Sequence, residues 1–390
     1  MLSAAFIGIA GIAAVTHATA YRIRSSNADL AHRIAPYDGR VTALAAAFLA
    51  GPEATPENRN RASSIARLAL QQDATSVIAA STLGLNAQVI NDKAKARRFF
   101  RYTEALSRRD IQTQLWAIED AVGRGDVAEA LTHYDIVMRS TPSLSEMLFP
   151  VLASASTDPE ITGPLIKTLK ARPAWGENFI SYLSGHSPSP RSTTALLTNL
   201  YQAGVPVPPS AQATTINTLL AAGFSEDAWD YYVLIHPKSD RKRSRDPRFI
   251  NADFASLFDW VPQTVTGTSA SIQDAGQYGL FDFSAPAMVG GTLLQQLQLL
   301  PPGKYELVGH SIGIDQMANV RPYWRLACQD GRELGRIAIP NSSDSGGNFV
   351  GTLSVPEGCP IQILSMVAQP TEGLSGLSGQ IDFVELYPVK

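Results

Sequence analysis

Small residues recur in this chain at an interval of 34 positions, and that interval restricts the fold more than any other feature. Aligning "NDKAKARRFF" (91–100) with "GDVAEALTHY" (125–134) pairs Asp92 with Asp126, Ala96 with Ala130 and Phe100 with Tyr134. One period earlier, Ala62 occupies the equivalent place. From about Val41 to Pro237, alanine and leucine recur at three- and four-residue spacings, interrupted by turn signals such as "GPEATPEN", "INDK", "GRGD" and "STPS". Closely crossing helices need a small side chain at the crossing, which Ala62, Ala96 and Ala130 supply. An aromatic four residues on lies on the same helix face and fills the space beside the next hairpin. Phe100 and Tyr134 fit that role; Ala66 does not. Pro142 falls where the second helix of a repeat should stop.

A 34-residue period with small residues inside helix pairs resembles the tetratricopeptide family. Residues 91–142 carry the resemblance. It thins over 58–90, where the family's tryptophan and tyrosine positions are lost. The resemblance implies four to six stacked helix pairs over residues 25–237, with a groove for a peptide or a partner's helix. Glu226-Asp227-Ala228 with Tyr232 repeats the same small-to-aromatic spacing later in that region.

After about Phe258 the apolar period changes from helical to two. Nine short runs, from "SASIQ" to "IDFVELYPV", are separated by "PPGK", "QDGR", "SSDSGGN" and "VPEG". They predict an antiparallel β-sandwich over 258–390. "LLQQLQLLPPGKYELVGHS" reads as a hairpin. Through Gln295, Leu299, Pro302, Gly303, Tyr305 and Leu307 it resembles a hairpin of jelly-roll carbohydrate-binding modules, which implies a jelly roll more than it implies sugar binding. Sugar-binding sandwiches stack aromatic rings on pyranose faces, and the candidates here are Trp260, Tyr278, Tyr323, Trp324 and Gln329. Tyr323 and Trp324 are neighbours on one strand, so one faces the core and the other faces out. Cys328 ends one strand and Cys359 begins another. A disulfide between them is one expectation, and two buried free thiols are the other.

Gly309-His310-Ser311-Ile312-Gly313 fits G-x-S-x-G, the turn that lifts a nucleophilic serine in α/β-hydrolases. That chemistry needs an acid and then a histidine downstream of the serine. None of the six histidines follows Ser311, and Pro322 interrupts the helix the motif requires. "LVGHSIGI" is therefore expected to be a strand, the second of the hairpin, with His310 and Ser311 on opposite faces. The chain has no phosphate-cradling Gly-x-x-x-x-Gly-Lys, no His-Glu-x-x-His and no Cys-x-x-Cys. Glu119-Asp120 and Glu226-Asp227 are adjacent on helices and point about 100° apart, which suits solvated faces better than shared acid–base work. Asp274, Asp282 and Asp344 lack the spacing of a calcium loop. The expectation is a non-catalytic chain with no cofactor and no metal.

Residues 2–21 carry no formal charge apart from His17 when it is protonated. As a helix rising 1.5 Å per residue, ~20 residues just cross a bilayer. Ala18-Thr19-Ala20 also matches the site that follows a signal peptide's apolar core. Residues 1–24 are thus expected to be a membrane anchor or signal segment. Arg22 and Arg24 would hold the body in the cytoplasm by the positive-inside rule. The Ala-x-Ala site and the cysteine pair argue for a periplasmic body, and we weigh these towards export with retention at the membrane. "HPKSDRKRSRDPRF" (236–249) marks a basic linker, 238–257, expected to be a solvated hinge. A net charge of −3 offers no general attraction to nucleic acid. Together these features predict a membrane-anchored cell-envelope scaffold that binds a protein partner through the helical groove. The alternative is a polysaccharide-binding protein of envelope or exopolysaccharide assembly that uses the sandwich.

Overall fold

A computed structural model describes residues 2–250, 255–264, 267–372 and 375–389, with residues 2–10 described as helical backbone only. The chain divides into two compact units, Met1–Val151 with Asp158–Trp175 and Leu152–Thr157 with Gly176–Lys390.

The first unit is helical. It opens with α1 (Leu2–Ile23), α2 (Ala28–Ile34) and α3 (Gly39–Leu49). Then come α4 (Pro56–Gln72), α5 (Val77–Val89), α6 (Lys93–Leu106), α7 (Ile111–Gly123) and α8 (Val127–Ser140). Helix α3 packs on α4, α5 on α6 and α7 on α8. The repeated aspartates are helix starts: Asp92 and Asp126 accept hydrogen bonds from the backbone N–H of Lys95 and Glu129 at 3.1 and 3.0 Å. The 34-residue interval thus runs from cap to cap. Helix α4 starts differently, with Thr55 as its cap and Pro56 in its first turn, so the register fades there.

Ala62, Ala96 and Ala130 sit on α4, α6 and α8, all buried. Phe100 and Tyr134 are buried as well, and the Phe100 ring stacks on Trp116 of α7 at 4.4 Å. Gly84 of α5 lies under the Phe100 ring, where a Cβ would stand 2.9 Å from a ring carbon. Pro142 is exposed just past α8 and opens a short 3₁₀ turn, Pro142–Leu144.

The expected membrane segment 2–21 falls in part on residues 2–10, whose side chains lie outside the described residues. Among the described residues, no helix is long and apolar enough to cross a membrane. Ile12 and Val15 of α1 are exposed.

Helix α9 (Ser145–Ala155) is divided between the two units, and α10 (Pro159–Lys170) belongs to the first. The second unit contains α11 (Gly176–His186), α12 (Pro190–Gln202), α13 (Pro209–Ala221) and α14 (Ser225–Ile235), followed by two five-stranded antiparallel sheets. One sheet joins β1 (Val261–Pro262), β4 (Gly291–Gln298), β9 (Gln362–Ala368), β6 (Tyr323–Cys328) and β7 (Glu333–Ala338), in that order. The other joins β2 (Ser269–Asp274), β3 (Gly279–Ala285), β10 (Leu377–Pro388), β5 (Gly303–Ile312) and β8 (Asn348–Val355). Inward-facing Phe281, Phe283, Leu294, Leu307, Trp324, Leu364, Met366 and Ile381 form one core between the sheets. Alternation along β3 and β5 shows the period-two pattern directly.

Two expectations need correction. "LLQQLQLLPPGKYELVGHS" is not a hairpin. Strand β4 pairs with β9 and β1 in one sheet, whereas β5 pairs with β10 and β8 in the other. Pro301 and Pro302, which have no N–H to give a ladder, carry the chain across from one sheet to the other. The Gln362 side chain satisfies Leu300 on the way, accepting from its N–H at 2.8 Å and donating to its carbonyl at 3.3 Å.

Nor is the basic tract a solvated hinge, although its residues 251–254 lie outside the described residues. Ser244, Arg245 and Phe249 are buried. The backbone N–H of Ser244 donates to the Leu386 carbonyl, and that of Val384 donates to Pro247, so the tract lies along β10. Arg245 points into the sandwich, where its Nε donates to the Phe258 carbonyl and its Nη1 to Gln298 Oε1, both at 2.9 Å. The Leu297 carbonyl takes a further bond. Gln296 brackets the same residue by accepting from its N–H and donating to its carbonyl. Burial holds the Arg245 pKa down to about 10 against the opposing pull of Tyr232 and the Asp259 carboxylate, so it stays a cation at neutral pH. A buried guanidinium is tolerated only when its donors are satisfied, and here they are. Helix α14 joins this arrangement through Trp229, edge-on to Phe258 at 5.5 Å, and Tyr232, whose hydroxyl donates to Asp259 at 2.7 Å.

Candidate binding surfaces

In the first unit, α4, α5 and α6 enclose a cleft of about 680 Å³. Its wall on α4 repeats every turn through Arg59, Asn60, Ser63, Ser64 and Arg67, the spacing that puts side chains on one helix face. Asn86 of α5 fixes the floor: it is buried, and its Nδ2 donates to the Arg59 carbonyl at 3.1 Å and to Ser63 Oγ at 3.0 Å. The Arg59 guanidinium is committed to the end of α3, donating to the carbonyls of Ala50, Gly51 and Pro52. Among the described residues, no hydrogen bond or ion pair commits the side chains of Arg67 and Lys95. They flank the exposed side chains of Val89 and Ile90. Residues 56–110 contain ten Lys and Arg against five Asp and Glu, a surplus of five positive charges in a chain whose total is −3.

Asp120 corrects the reading of Glu119-Asp120 as a solvated pair. Its carboxylate accepts from Arg97 of α6 at 2.8–3.0 Å and from Arg124 at 3.1 Å, and it is largely buried. The hydrogen bond from Arg97 holds the Asp120 carboxyl below its ordinary pKa. Glu226 is exposed and bound by both terminal nitrogens of Arg241 at 2.6 Å.

In the sandwich, Ser311 lies on β5 with its Oγ 3.2 Å from Ser342 Oγ and 3.3 Å from the Gly347 carbonyl. His310 is on the opposite face, with Nδ1 2.6 Å from Asp382 Oδ1 and Nε2 3.1 Å from the Gly346 carbonyl. The two side chains are turned away from each other, as alternation along a strand requires.

The glycan candidates are not brought together. Trp260 and Trp324 are buried in the core, edge to face at 5.6 Å, which corrects their assignment to a sugar-stacking surface. A ring closed over by both sheets has no face to offer a pyranose. Tyr278 lies at the turn between β2 and β3, and Gln329 is exposed in the turn after β6. Tyr323 alone sits on an outer sheet face, half-buried, with the Arg336 guanidinium 4.7 Å over its ring. Cys328 and Cys359 form a disulfide between the end of β6 and the approach to its ladder partner β9. Among the described residues, no group of three or more His, Cys, Asp or Glu is placed to hold a metal ion.

The residue that sequence reasoning missed on that outer face is Arg325. Its guanidinium forms no hydrogen bond or ion pair among the described residues, and its Nε is buried. The signal was present as the alternation Tyr323, Arg325, Ala327, once the outward direction of β6 is known.

No protein-family model matches the chain. No curated protein matches it in sequence. Solved structures share parts of its fold. PilF of Pseudomonas aeruginosa is 15% identical at a TM-score of 0.25, over 51% of this chain and 93% of its own. The CBM22-1 xylan-binding domain of Paenibacillus barcinonensis Xyn10C is 10% identical at a TM-score of 0.22, over 34% of this chain and 86% of its own. A tailspike protein of bacteriophage CBA120 is 13% identical at a TM-score of 0.25, over 38% of this chain and only 22% of its own. Likenesses this distant carry no argument about what the chain binds. The chain is a region of paired helices followed by an antiparallel β-sandwich.

Proposed function

We propose that the protein is a non-catalytic scaffold of the cell envelope that holds an acidic segment of a partner protein in the cleft between α4, α5 and α6. The cleft carries the reading. Arg67 and Lys95 stand there without carboxylate partners among the described residues, beside exposed Val89 and Ile90, in a region with a surplus of positive charge. An amphipathic acidic segment satisfies both features at once, burying an apolar edge while its carboxylates meet the two cations. The charge-free stretch 2–21 supports retention at a membrane, the Ala18-Thr19-Ala20 site and the Cys328–Cys359 disulfide support an extracytoplasmic body, and the sandwich offers a second contact surface.

Site-specific photocrosslinking in cells tests the cleft. A crosslinker at Ile90 should capture a discrete partner, and Arg67→Glu with Lys95→Glu should abolish that product while leaving the unfolding transition unchanged. Crosslinking that persists through the double charge reversal would overturn the acidic-segment reading. Protease protection of the membrane fraction checks anchoring and orientation separately.

A further inference from the structure

One end of the helix pairs carries cations that helix packing does not explain. It gathers the close of α1 and the turns α2–α3, α4–α5 and α6–α7. Gln72 Nε2 donates to the Pro36 carbonyl at 2.8 Å, and the Tyr102 hydroxyl donates to the Ala74 carbonyl at 2.6 Å, which holds these turns side by side. Arg22, Arg24, Arg40, Arg108 and Arg109 stand here against Asp38, Asp73 and Asp110. Nearby, Asp29 with Arg33 and Glu104 with Arg101 leave the sum unchanged. Each of the three aspartates is already engaged by backbone. Asp38 accepts from the N–H of Arg40 and Val41, Asp73 from that of Thr75 and Asp110 from that of Thr113. Arg24 rests 3.4 Å over the Tyr21 ring, and Arg40 is set against the Tyr21 hydroxyl with Asp73 and Asp38 beyond it. Arg22, Arg108 and Arg109 are exposed, and among the described residues no hydrogen bond or ion pair commits their side chains. The turns at the opposite ends of these helices carry Glu53, Asp92 and Asp126 against Lys93 and Arg124, so the surplus belongs to one end. Helix dipoles do not account for it. They favour cations at the close of α1 and α6 but oppose Arg40 in the first turn of α3.

Arg22, Arg24 and Arg40 line one cavity of about 1000 Å³, together with Tyr21, exposed Tyr37 and the engaged Asp38 and Asp73. Helix α1 leaves the helical body beside it. His17 lies 3.3 Å from Asp38 at the start of α3, and Ala20 is buried with Ala31, Ala35 and Val41. Residues 11–15, before that contact, are all exposed, Ile12 and Val15 among them. We propose that this end of the helix pairs lies on an anionic phospholipid surface, with a headgroup phosphate held between Arg22, Arg24 and Arg40. The inference rests on the membrane retention proposed above and adds the docking surface and the lipid class. A guanidinium gives a phosphate two parallel N–H bonds, and basic side chains next to an apolar segment are drawn to an anionic leaflet. Tyr21 and Tyr37 supply the amphipathic rings that settle at headgroup level. Nucleic acid would answer the cations but leave Ile12 and Val15 in water, whereas a bilayer covers both. The surface shares no residue with the cleft that holds Arg67 and Lys95.

Flotation of the full chain with vesicles tests it, comparing phosphatidylglycerol mixed into phosphatidylcholine with phosphatidylcholine alone. The anionic vesicles should bind about tenfold more tightly or better, as several basic side chains at the surface predict. Arg22→Gln with Arg40→Gln should remove most of that preference. Arg108→Gln with Arg109→Gln, on an exposed turn, should weaken it without moving the melting temperature, so the test survives a first pair that folds poorly. Both double variants should keep the weaker binding to phosphatidylcholine that α1 provides. Equal binding of the two vesicle types by the original chain would overturn the headgroup site and leave membrane retention standing. Flotation with neither would overturn both. A preference unchanged in either double variant would also overturn the proposal. So would inorganic phosphate or a single-stranded oligonucleotide that binds more tightly than the anionic vesicles.

Discussion

At Gly84 two effects of opposite sign meet in a single residue. Alanine is the better helix former by about 1 kcal/mol. Yet a Cβ here would stand 2.9 Å from the Phe100 ring, which is buried and stacked on Trp116 and so has no room to yield. Overpacking of this kind costs roughly 1–3 kcal/mol and wins. Gly84→Ala should therefore lower stability in denaturant unfolding, and Phe100→Leu in the same chain should recover part of the loss. Asp120 makes a second prediction. Its folded pKa is depressed, so its contribution is complete above the unfolded value of about 3.9 and is lost as pH falls through the folded one. Asp120→Asn should cost about 1 kcal/mol at neutral pH, since Arg97 and Arg124 are partly solvated. That difference should close in strong acid, as read from urea midpoints across pH.

Among elements, the helix pairs were legible because their markers are local. An aspartate that caps a helix and an alanine at a crossing each act within a few residues of themselves. The pairing of strands was less legible. The runs of β4 and β5 were visible, but whether consecutive strands join as a hairpin or cross between sheets depends on partners far along the chain. Strand β9, some seventy residues after β4, decides it. The disulfide ties two such distant elements. Cys328 and Cys359 are 31 residues apart, and closing a loop of that size takes chain entropy worth about 3–4 kcal/mol from the unfolded state, which stabilises the fold by that much. Thermal unfolding with and without reductant should show a clear drop in midpoint, whereas identical curves would mean that the bond contributes nothing.

For the molecule as a whole, the packing of α14 and the basic tract against the sandwich has a consequence for how the chain can be cut. Arg245, Trp229, Phe258 and Tyr232 close one end of the β core. A fragment 176–390 should unfold in one calorimetric transition, while 258–390 should be insoluble or markedly less stable, having lost those contacts. Within the longer fragment, Arg245→Met should cost about 3–5 kcal/mol, because three oxygens lose their donor in a buried site. Protease should spare residues 240–249. Rapid cleavage there would restore the solvated-hinge reading.

By itself the sequence determined the broad order of helices and strands, the repeat interval and the period-two pattern of the strands. These follow from side-chain size and hydropathy at spacings of a few residues. It also showed a run of charges at 238–248 and two adjacent aromatics at 323–324. Only the tertiary structure decided that one of those charges, Arg245, is buried and that Trp324 rather than Tyr323 faces the core. It also decided that Arg325 is left facing another arginine. The reason is physical: a charge or ring acquires its role from what stands opposite it, and here those partners lie on strands and helices brought together only by folding.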